Sequence, residues 1–513
     1  MTWSLRHYIL FTIVFLLAVV LRIAQLDNRP FHVDEAVNGL ITEKLLSDGQ
    51  YTYDPAAFHG PSLYYLTVFL ARITGVGDAS GLSEPLLRLL PTFVGALLLL
   101  LLIPLRQYVS PKAIIFSGFL LAVSPMLVYY SRYYIHEMLL VCFSFGFLIY
   151  GFIYLDTGRS SAALWTGLFA GLAICTKETW ILILFSVLLS FFLLRLVKRQ
   201  KMEIKTLHML LMLGAILIPV VIFYSSFFTN PKGLFEIVDF PVHYIERAAG
   251  EQIHRHHALY YLSILFGYYE NDHLFLAETG ILVMAITALL YQRGQTYARL
   301  AALSGMTSAI LFVIFSLIPY KTPWNISVVL PPLILFIAVL FFGKEKTVLS
   351  RPIKGVVVIG TAMLCIQTVI LNFELPADPA NPFTYAQSGE DMLKISSKLE
   401  TLRKEIPDTD QAQLMVIAPG HAYWPLPWYL REWKNTGWWD HIPDNFYQAQ
   451  ILILTDSLER DIGNRLYEQI SAENRHLYVH LFDRPMELYP GNTVIGLIEL
   501  SLWEKLNGKN AAR

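Results

Sequence analysis

Eleven mostly apolar runs recur along the first 373 positions, near 8–25, 88–105, 113–130, 138–155, 161–176, 179–196, 206–227, 274–291, 299–318, 326–343 and 354–373. A helix needs roughly 20 such residues to cross a bilayer, so the pattern predicts about eleven membrane-spanning helices. Arg6 before the first run suits a signal peptide, but no small-residue cleavage site follows, so the run reads as a retained span. Ser62 to Thr74 and Tyr260 to Tyr269 are apolar, but short and aromatic, and predict helices lying in the interface. Beyond Glu374 the pattern changes. Leu414–Ala418 and Ile451–Leu454 are short apolar runs of strand type, while Asp391–Lys404 and Ser457–Ile470 have helical spacing. The expected architecture is a polytopic α-helical membrane domain over 1–373, followed by a soluble extracytoplasmic α/β domain over 374–513.

Composition sharpens this division. Of the chain, 55% is hydrophobic and 15% charged, against about 25% charged in a soluble domain. An ordinary soluble enzyme is thereby excluded, as are disordered, collagen-like and disulfide-scaffold chains. The three cysteines, Cys142, Cys175 and Cys365, lie in or near predicted spans and form no motif, which argues against a disulfide framework or a cysteine-based zinc site. The formal net charge of −1 hides an asymmetry: residues 374–513 hold 13 Lys/Arg and 20 Asp/Glu, residues 1–373 hold 26 and 20. With the N-terminus inside, Arg106, Lys112, Arg159, Arg195, Lys198, Arg199, Lys201, Lys205, Arg293, Arg299, Lys344, Lys346, Arg351 and Lys354 all fall in inside loops. That is the orientation the positive-inside rule demands, and it sends residues 374–513 outside.

The outer segments differ in kind, being rich in His, Asp, Glu, Tyr and Trp. Ionisable groups at membrane depth are costly and call for a partner or a function. After the first span comes His32-Val33-Asp34-Glu35. Adjacent carboxylates there suit a base, a cation site or a grip on sugar hydroxyls; they equally suit a helix start, with Asp34 as cap and Glu35 in the first turn. The second outer turn, Tyr129 to Glu137, places Arg132, His136 and Glu137 together, either as site groups or as the polar ends of an aromatic belt. Lys177-Glu178 reads as a local ion pair, or as a cation facing an anionic lipid. His254-Arg255-His256-His257 lacks the i, i+4 spacing of helical metal ligands and suits phosphate or sugar contact better than metal. Lys321, between Pro319 and Pro323, is another candidate phosphate contact. Cations and carboxylates gathered at one face suit a reaction between an anionic lipid substrate and a polar acceptor, because a cation stabilises a departing phosphate while a carboxylate takes the incoming hydroxyl's proton.

The Asp-Glu pair after span one, the His59-to-Tyr65 stretch that opens an interfacial helix, and the acidic residue in the second outer loop resemble the GT-C superfamily. Within it, the chain is similar to the protein O-mannosyltransferase and aminoarabinose transferase group, and to a prokaryotic family of predicted glycosyltransferases sometimes labelled flippase-associated. The last likeness rests on Pro319-Tyr320-Lys321-Thr322-Pro323-Trp324 and Pro425-Leu426-Pro427-Trp428-Tyr429-Leu430-Arg431. The resemblance covers roughly residues 5–345. It implies a polyprenyl-phosphate sugar as donor, consumed on the outer face of a cell membrane, with a glycan, lipid or protein acceptor, membrane lipids as partners and no nucleic acid. Asp34 matches the catalytic acidic residue of the first loop and would act as base; Glu35, its neighbour, and Glu137 are the further candidate catalytic carboxylates. Glu137 stands where many relatives have Asp, and Lys177 matches a basic residue that contacts donor phosphate. Arg132, Lys321, His254 and His256 complete the candidate phosphate contacts; His32, His59, Tyr64, His136, Glu178 and Trp324 are candidate substrate contacts. No cofactor is implied, and a divalent metal stays open, since the oligosaccharide-transferring branch needs one. The rival reading is a transporter or flippase, which would place polar groups near the midplane in repeated halves; a catalytically silent partner is the third.

Overall fold

The computed structural model describes residues 3–198, 205–237, 254–270, 273–291, 299–343, 349–405 and 412–511. The inside-loop residues Arg199, Lys201, Arg293, Lys344 and Lys346 fall outside these ranges. The chain divides into two compact units: Met1–Asn28, Ile41–Pro376 and Ala380–Tyr385 in the first, Arg29–Leu40, Ala377–Pro379 and Ala386–Arg513 in the second.

The first unit is helical. Its helices include α1 (Leu5–Ile23), α2 (Val33–Asp48, whose first residues belong to the second unit), α3 (Ser62–Ile73), α4 (Glu84–Leu97, continued as a 3-10 helix to Gln107), α5 (Pro111–Val123), α6 (Pro125–Ser131), α7 (Glu137–Thr157), α8 (Ser160–Ile174), α9 (Trp180–Lys198) and α10 (Thr206–Tyr224). Helices Thr279–Tyr291, Arg299–Leu317, Leu330–Phe342 and Arg351–Val369 follow. Each of the eleven apolar runs contains a helix, although the run at 274–291 opens in a strand and is helical only from Thr279. Seven of the described helices are long and apolar enough to span by themselves, or eight with the bent pair α5–α6; α8, α9 and Thr279–Tyr291 are shorter apolar helices.

The run at 113–130 is broken rather than straight: α5 and α6 meet at 60°. Pro125 has no N–H to donate and holds Ser124 extended. The freed groups are satisfied by Glu278, whose Oε1 accepts from Ser124 Oγ at 2.7 Å and from Met126 N–H at 2.8 Å. Helices α8 and α10 approach closely because Gly167 and Gly171 face the backbone of Met212 and Ile216. Tyr260 to Tyr269 is not one helix. It stops at Phe266, Gly267 takes φ 80°, and β1 (Tyr268–Glu270) pairs antiparallel with β2 (His273–Phe275).

The second unit is built on a sheet ordered β4-β3-β5-β8-β6, with β7 also on β8. Its strands are β3 (Leu414–Ile417), β4 (Thr436–Trp439), β5 (Ile451–Thr455), β6 (Tyr478–His480), β7 (Met486–Tyr489) and β8 (Asn492–Glu499). β3 runs parallel to β4 and β5, and β8 antiparallel to β5. Val416 and Ile453 point into a core with Met392, Ile395 and Leu399 of helix Asp391–Glu405; Met415, Ile417 and Leu452 point to Ile462 and Leu466 of helix Glu459–Glu468. Both faces are therefore covered, which is why β3 and β5 are apolar throughout instead of alternating.

Candidate functional site

Within the first unit, two turns and one loop converge. The α8–α9 turn carries Thr176-Lys177-Glu178, and α7 begins with Glu137 behind His136. The loop before α3 carries His59 and Gly60. Gly60 donates its N–H to the Thr176 carbonyl at 3.1 Å, and Ser62 donates to the Cys175 carbonyl at 2.9 Å. This approach needs glycine: a Cβ on Gly60 would lie 2.3 Å from the Cys175 oxygen. His59 then meets Glu178, Nδ1 to Oε2 at 2.7 Å. Lys177, 6% exposed, is paired with Glu137, 4% exposed, and its ammonium also donates to Asn325 Oδ1 at 3.4 Å. His136 donates from Nε2 to the Gly60 carbonyl at 3.0 Å, and its ring takes edge contacts from His59 and Tyr64 at 5.2 and 5.4 Å.

The electrostatics follow from this packing. Burial, aided by neighbouring His59 and Lys177, pushes His136 well below the ordinary imidazole range, so it stands neutral as a donor from Nε2. Burial tends to raise Glu178, but the His59 imidazole outweighs it and holds the carboxyl below its usual value. His59, Tyr64, His136, Glu137, Lys177 and Glu178 thus share one neighbourhood, and Asn325 joins them.

The other expected cations are occupied differently. Lys321 is 1% exposed, and its ammonium donates to the backbone carbonyls of His256, at 3.2 Å, and Ile318. The Lys321 N–H reaches the His254 carbonyl at 2.9 Å, so the 254–256 and 319–321 segments are stitched together. His254 hydrogen-bonds the Tyr385 hydroxyl, and His256 stacks on Tyr260 at 4.0 Å. Trp324 packs among Tyr130, Tyr133 and Tyr385. Arg132 donates to the Gln25 carbonyl at 2.8 Å and lies over the Phe373 ring. The tyrosines around it are not an exposed belt: Tyr129, Tyr130, Tyr133 and Tyr134 are all buried. Among the described residues, no group of three or more His, Cys, Asp or Glu side chains is placed to hold a metal.

Asp34 and its neighbours belong to the second unit. Glu35, fully buried, accepts the His32 N–H at 3.1 Å and faces Arg29 at 3.8 Å. This is the reciprocal half of a capping box, the third helical residue reaching back to the cap. Asp34 donates its backbone N–H to His32 Nδ1 at 3.0 Å, which makes Nδ1 an acceptor and leaves the ring proton on Nε2. The Asp34 carboxylate itself is about half exposed, at 49%. Sequence reasoning passed over Gly60, Asn325 and Arg29. A glycine between a histidine and a proline was the available signal for the first; the partners of the other two are too distant in sequence to read.

Residues 58–224 match the family model described as dolichyl-phosphate-mannose-protein mannosyltransferase. No curated protein matches. Among solved structures, ArnT from Cupriavidus metallidurans in the apo state superposes with a TM-score of 0.62 at 16% identity, over 95% of this chain and 97% of that one. The same protein bound to undecaprenyl phosphate gives 0.63 at 14%, over 96% and 98%. The apo oligosaccharyltransferase of Archaeoglobus fulgidus gives 0.55 at 13%, over 98% and 77%.

Proposed function

We propose that this chain, a multi-span membrane protein with the GT-C fold of membrane glycosyltransferases, transfers a sugar from a polyprenyl-phosphate donor to an acceptor hydroxyl on the outer face of the membrane. Asp34 takes the proton from the acceptor hydroxyl. The oxygen attacks the anomeric carbon, the bond from that carbon to the phosphate oxygen breaks, and the lipid phosphate leaves with the electron pair. One direct displacement inverts the anomeric centre. Lys177, held by Glu137 and Asn325, stabilises the charge that develops on the departing phosphate. Glu178, held by His59, with His136 and Tyr64 beside it, contacts the sugar. Glu35 and His32 set the start of α2 and so the direction of Asp34. Arg132, Lys321, His254 and His256 hold neighbouring turns, and Trp324 packs with them.

The observation that carries this reading is the fold shared over nearly the whole chain with ArnT, a protein solved with undecaprenyl phosphate bound, together with one lysine whose partners are side chains in a cluster of acid and imidazole groups. The test is transfer from a panel of polyprenyl-phosphate sugars by purified protein in liposomes, wild type against Asp34→Asn. Donor consumption and a product of inverted configuration, both cut to a slow residual rate in Asp34→Asn at unchanged thermal stability, are expected. Consumption of no donor would overturn the reading, and translocation of intact lipid-linked sugar would put a flippase in its place.

A further inference from the structure

The segment that carries Asp34 is held by the second unit's own Trp-Pro-Leu-Pro-Trp-Tyr-Leu-Arg stretch. Leu426 and Leu430 of that stretch are buried in the sheet's core. Anchored there, Trp428 and Tyr429 face the segment. The Trp428 ring lies 5.2 Å from that of Phe31, and Arg431 braces it, with its guanidinium 4.0 Å from the ring centre and a 2.8 Å hydrogen bond to the Trp428 carbonyl. The peptide bond joining Pro30 to Phe31 is gripped at both ends. The Tyr429 hydroxyl accepts the Phe31 N–H at 2.8 Å, and the Gln387 amide donates to the Pro30 carbonyl at 2.9 Å. Phe31 is fully buried and Gln387 is 2% exposed. From that fixed peptide the order passes on: the His32 N–H goes to Glu35, and the Asp34 N–H to His32 Nδ1. The backbone N–H groups of residues 31, 32 and 34 are thus each given to a side chain, and the plane of the chain is set three residues before Asp34.

We infer that Tyr429 and Gln387 are positioning residues for Asp34, and that the second unit takes part in the reaction by orienting this carboxylate. The inference rests on the proposed role of Asp34 as base. Displacing a reacting group by about 1 Å costs on the order of a hundredfold in rate, and a peptide freed at one end permits such a shift.

A double-mutant cycle in the full-length protein in liposomes tests it, using Asp34→Asn, Tyr429→Phe and both together. Tyr429→Phe keeps the ring and removes one oxygen. The expected result is a kcat lowered by roughly tenfold to a hundredfold with KM essentially unchanged, and no further loss when Tyr429→Phe is added to Asp34→Asn. Gln387→Glu, which replaces the donor to Pro30 by an acceptor, serves as the second probe and is expected to follow the same pattern. A Tyr429→Phe enzyme with wild-type kcat would overturn the inference alone, provided Asp34→Asn retains only a slow residual rate, against which the cycle is read. So would an equal loss in both backgrounds, since that marks a general structural effect. Wild-type transfer by Asp34→Asn would instead remove the base itself, and both readings would fall.

Discussion

Replacing Gly60 by alanine tests the geometry of the first unit's cluster directly. The added Cβ would lie 2.3 Å from the Cys175 oxygen, 2.5 Å from its carbonyl carbon and 2.9 Å from the Thr176 nitrogen. All three are backbone atoms, so no side chain can swing away. Ordinary contact begins about 1 Å further out, and the loop must retreat by that much. Two backbone hydrogen bonds, now 3.1 and 2.9 Å, would pass out of range, at about 1 kcal/mol each. Overpacking strain adds about 1–3 kcal/mol. Against this, alanine restricts the unfolded chain and returns roughly 0.4–1 kcal/mol. The net expectation is a destabilisation of about 2–5 kcal/mol, together with a transfer rate lowered on the order of a hundredfold, because His59 would lose Glu178. Thermal unfolding in detergent and sugar transfer in liposomes read the two effects. Gly214→Ala is the control: nothing lies within 4 Å of its Cβ, so it should leave both unchanged or gain about 1 kcal/mol of helix propensity. Wild-type stability and rate for Gly60→Ala would refute the reasoning.

Glu137→Met strands the Lys177 ammonium in a buried place and should cost about 3–5 kcal/mol, while Glu137→Met with Lys177→Met costs less than either single change; unfolding midpoints of the two single variants and the double decide, and additive losses would refute the pairing. Asp391 is held by Arg484 at 2.8 Å, by Lys394 at 3.0 Å and by the Glu487 N–H at 3.2 Å, and these partners, Arg484 foremost, pull its carboxyl down to about 2. A depressed acid stabilises the fold above its unfolded pKa of about 3.9 and loses that contribution as pH falls through the folded value. The stability gap between wild type and Asp391→Asn should therefore be full near neutral pH and shrink between about pH 4 and pH 2, and a gap that does not change with pH would contradict it.

How much of this was legible in the sequence depends on what each element answers to. The spans answer to lipid, which imposes an apolar run whatever the neighbours are, and each of the eleven runs holds a helix, the run at 274–291 only from Thr279 onward. Strands β3 and β5 were legible because helices cover both their faces. β4, β6, β7 and β8 were not: β4 is a four-residue edge strand, partly exposed, and β8 carries Gly496 at its middle, where the Phe482 ring lies close. The Ser124-Pro125 break carried its signal openly, yet the long apolar run around it outweighed a single proline. The entry of Arg29–Leu40 into the second unit was invisible, since its partners Gln387, Trp428 and Tyr429 lie hundreds of residues away.

The cations show why residue type at an outer turn was insufficient. Lys177, Lys321 and Arg132 stand in similar turns, and apart from the family resemblance, which singles out Lys177, residue type and spacing offer no ground for ranking them. Their partners do. Lys321 gives its ammonium hydrogen bonds to the backbone carbonyls of His256 and Ile318, and Arg132 gives its shorter one to the Gln25 carbonyl at 2.8 Å and a longer one to Asn28 Oδ1 at 3.4 Å; a side chain bound to backbone in this way closes the turn that carries it. Removing those bonds to serve a substrate would take a partner from partly buried carbonyls, at about 1 kcal/mol apiece. Lys177 gives its hydrogen bonds to a carboxylate and a side-chain amide. Both can yield by a rotamer change without breaking the backbone, and an arriving phosphate replaces one anionic partner with another. A cation held by side chains is thus the one that can exchange ligands during a reaction, which is the physical ground for assigning the phosphate contact to Lys177 and the architectural roles to the other two.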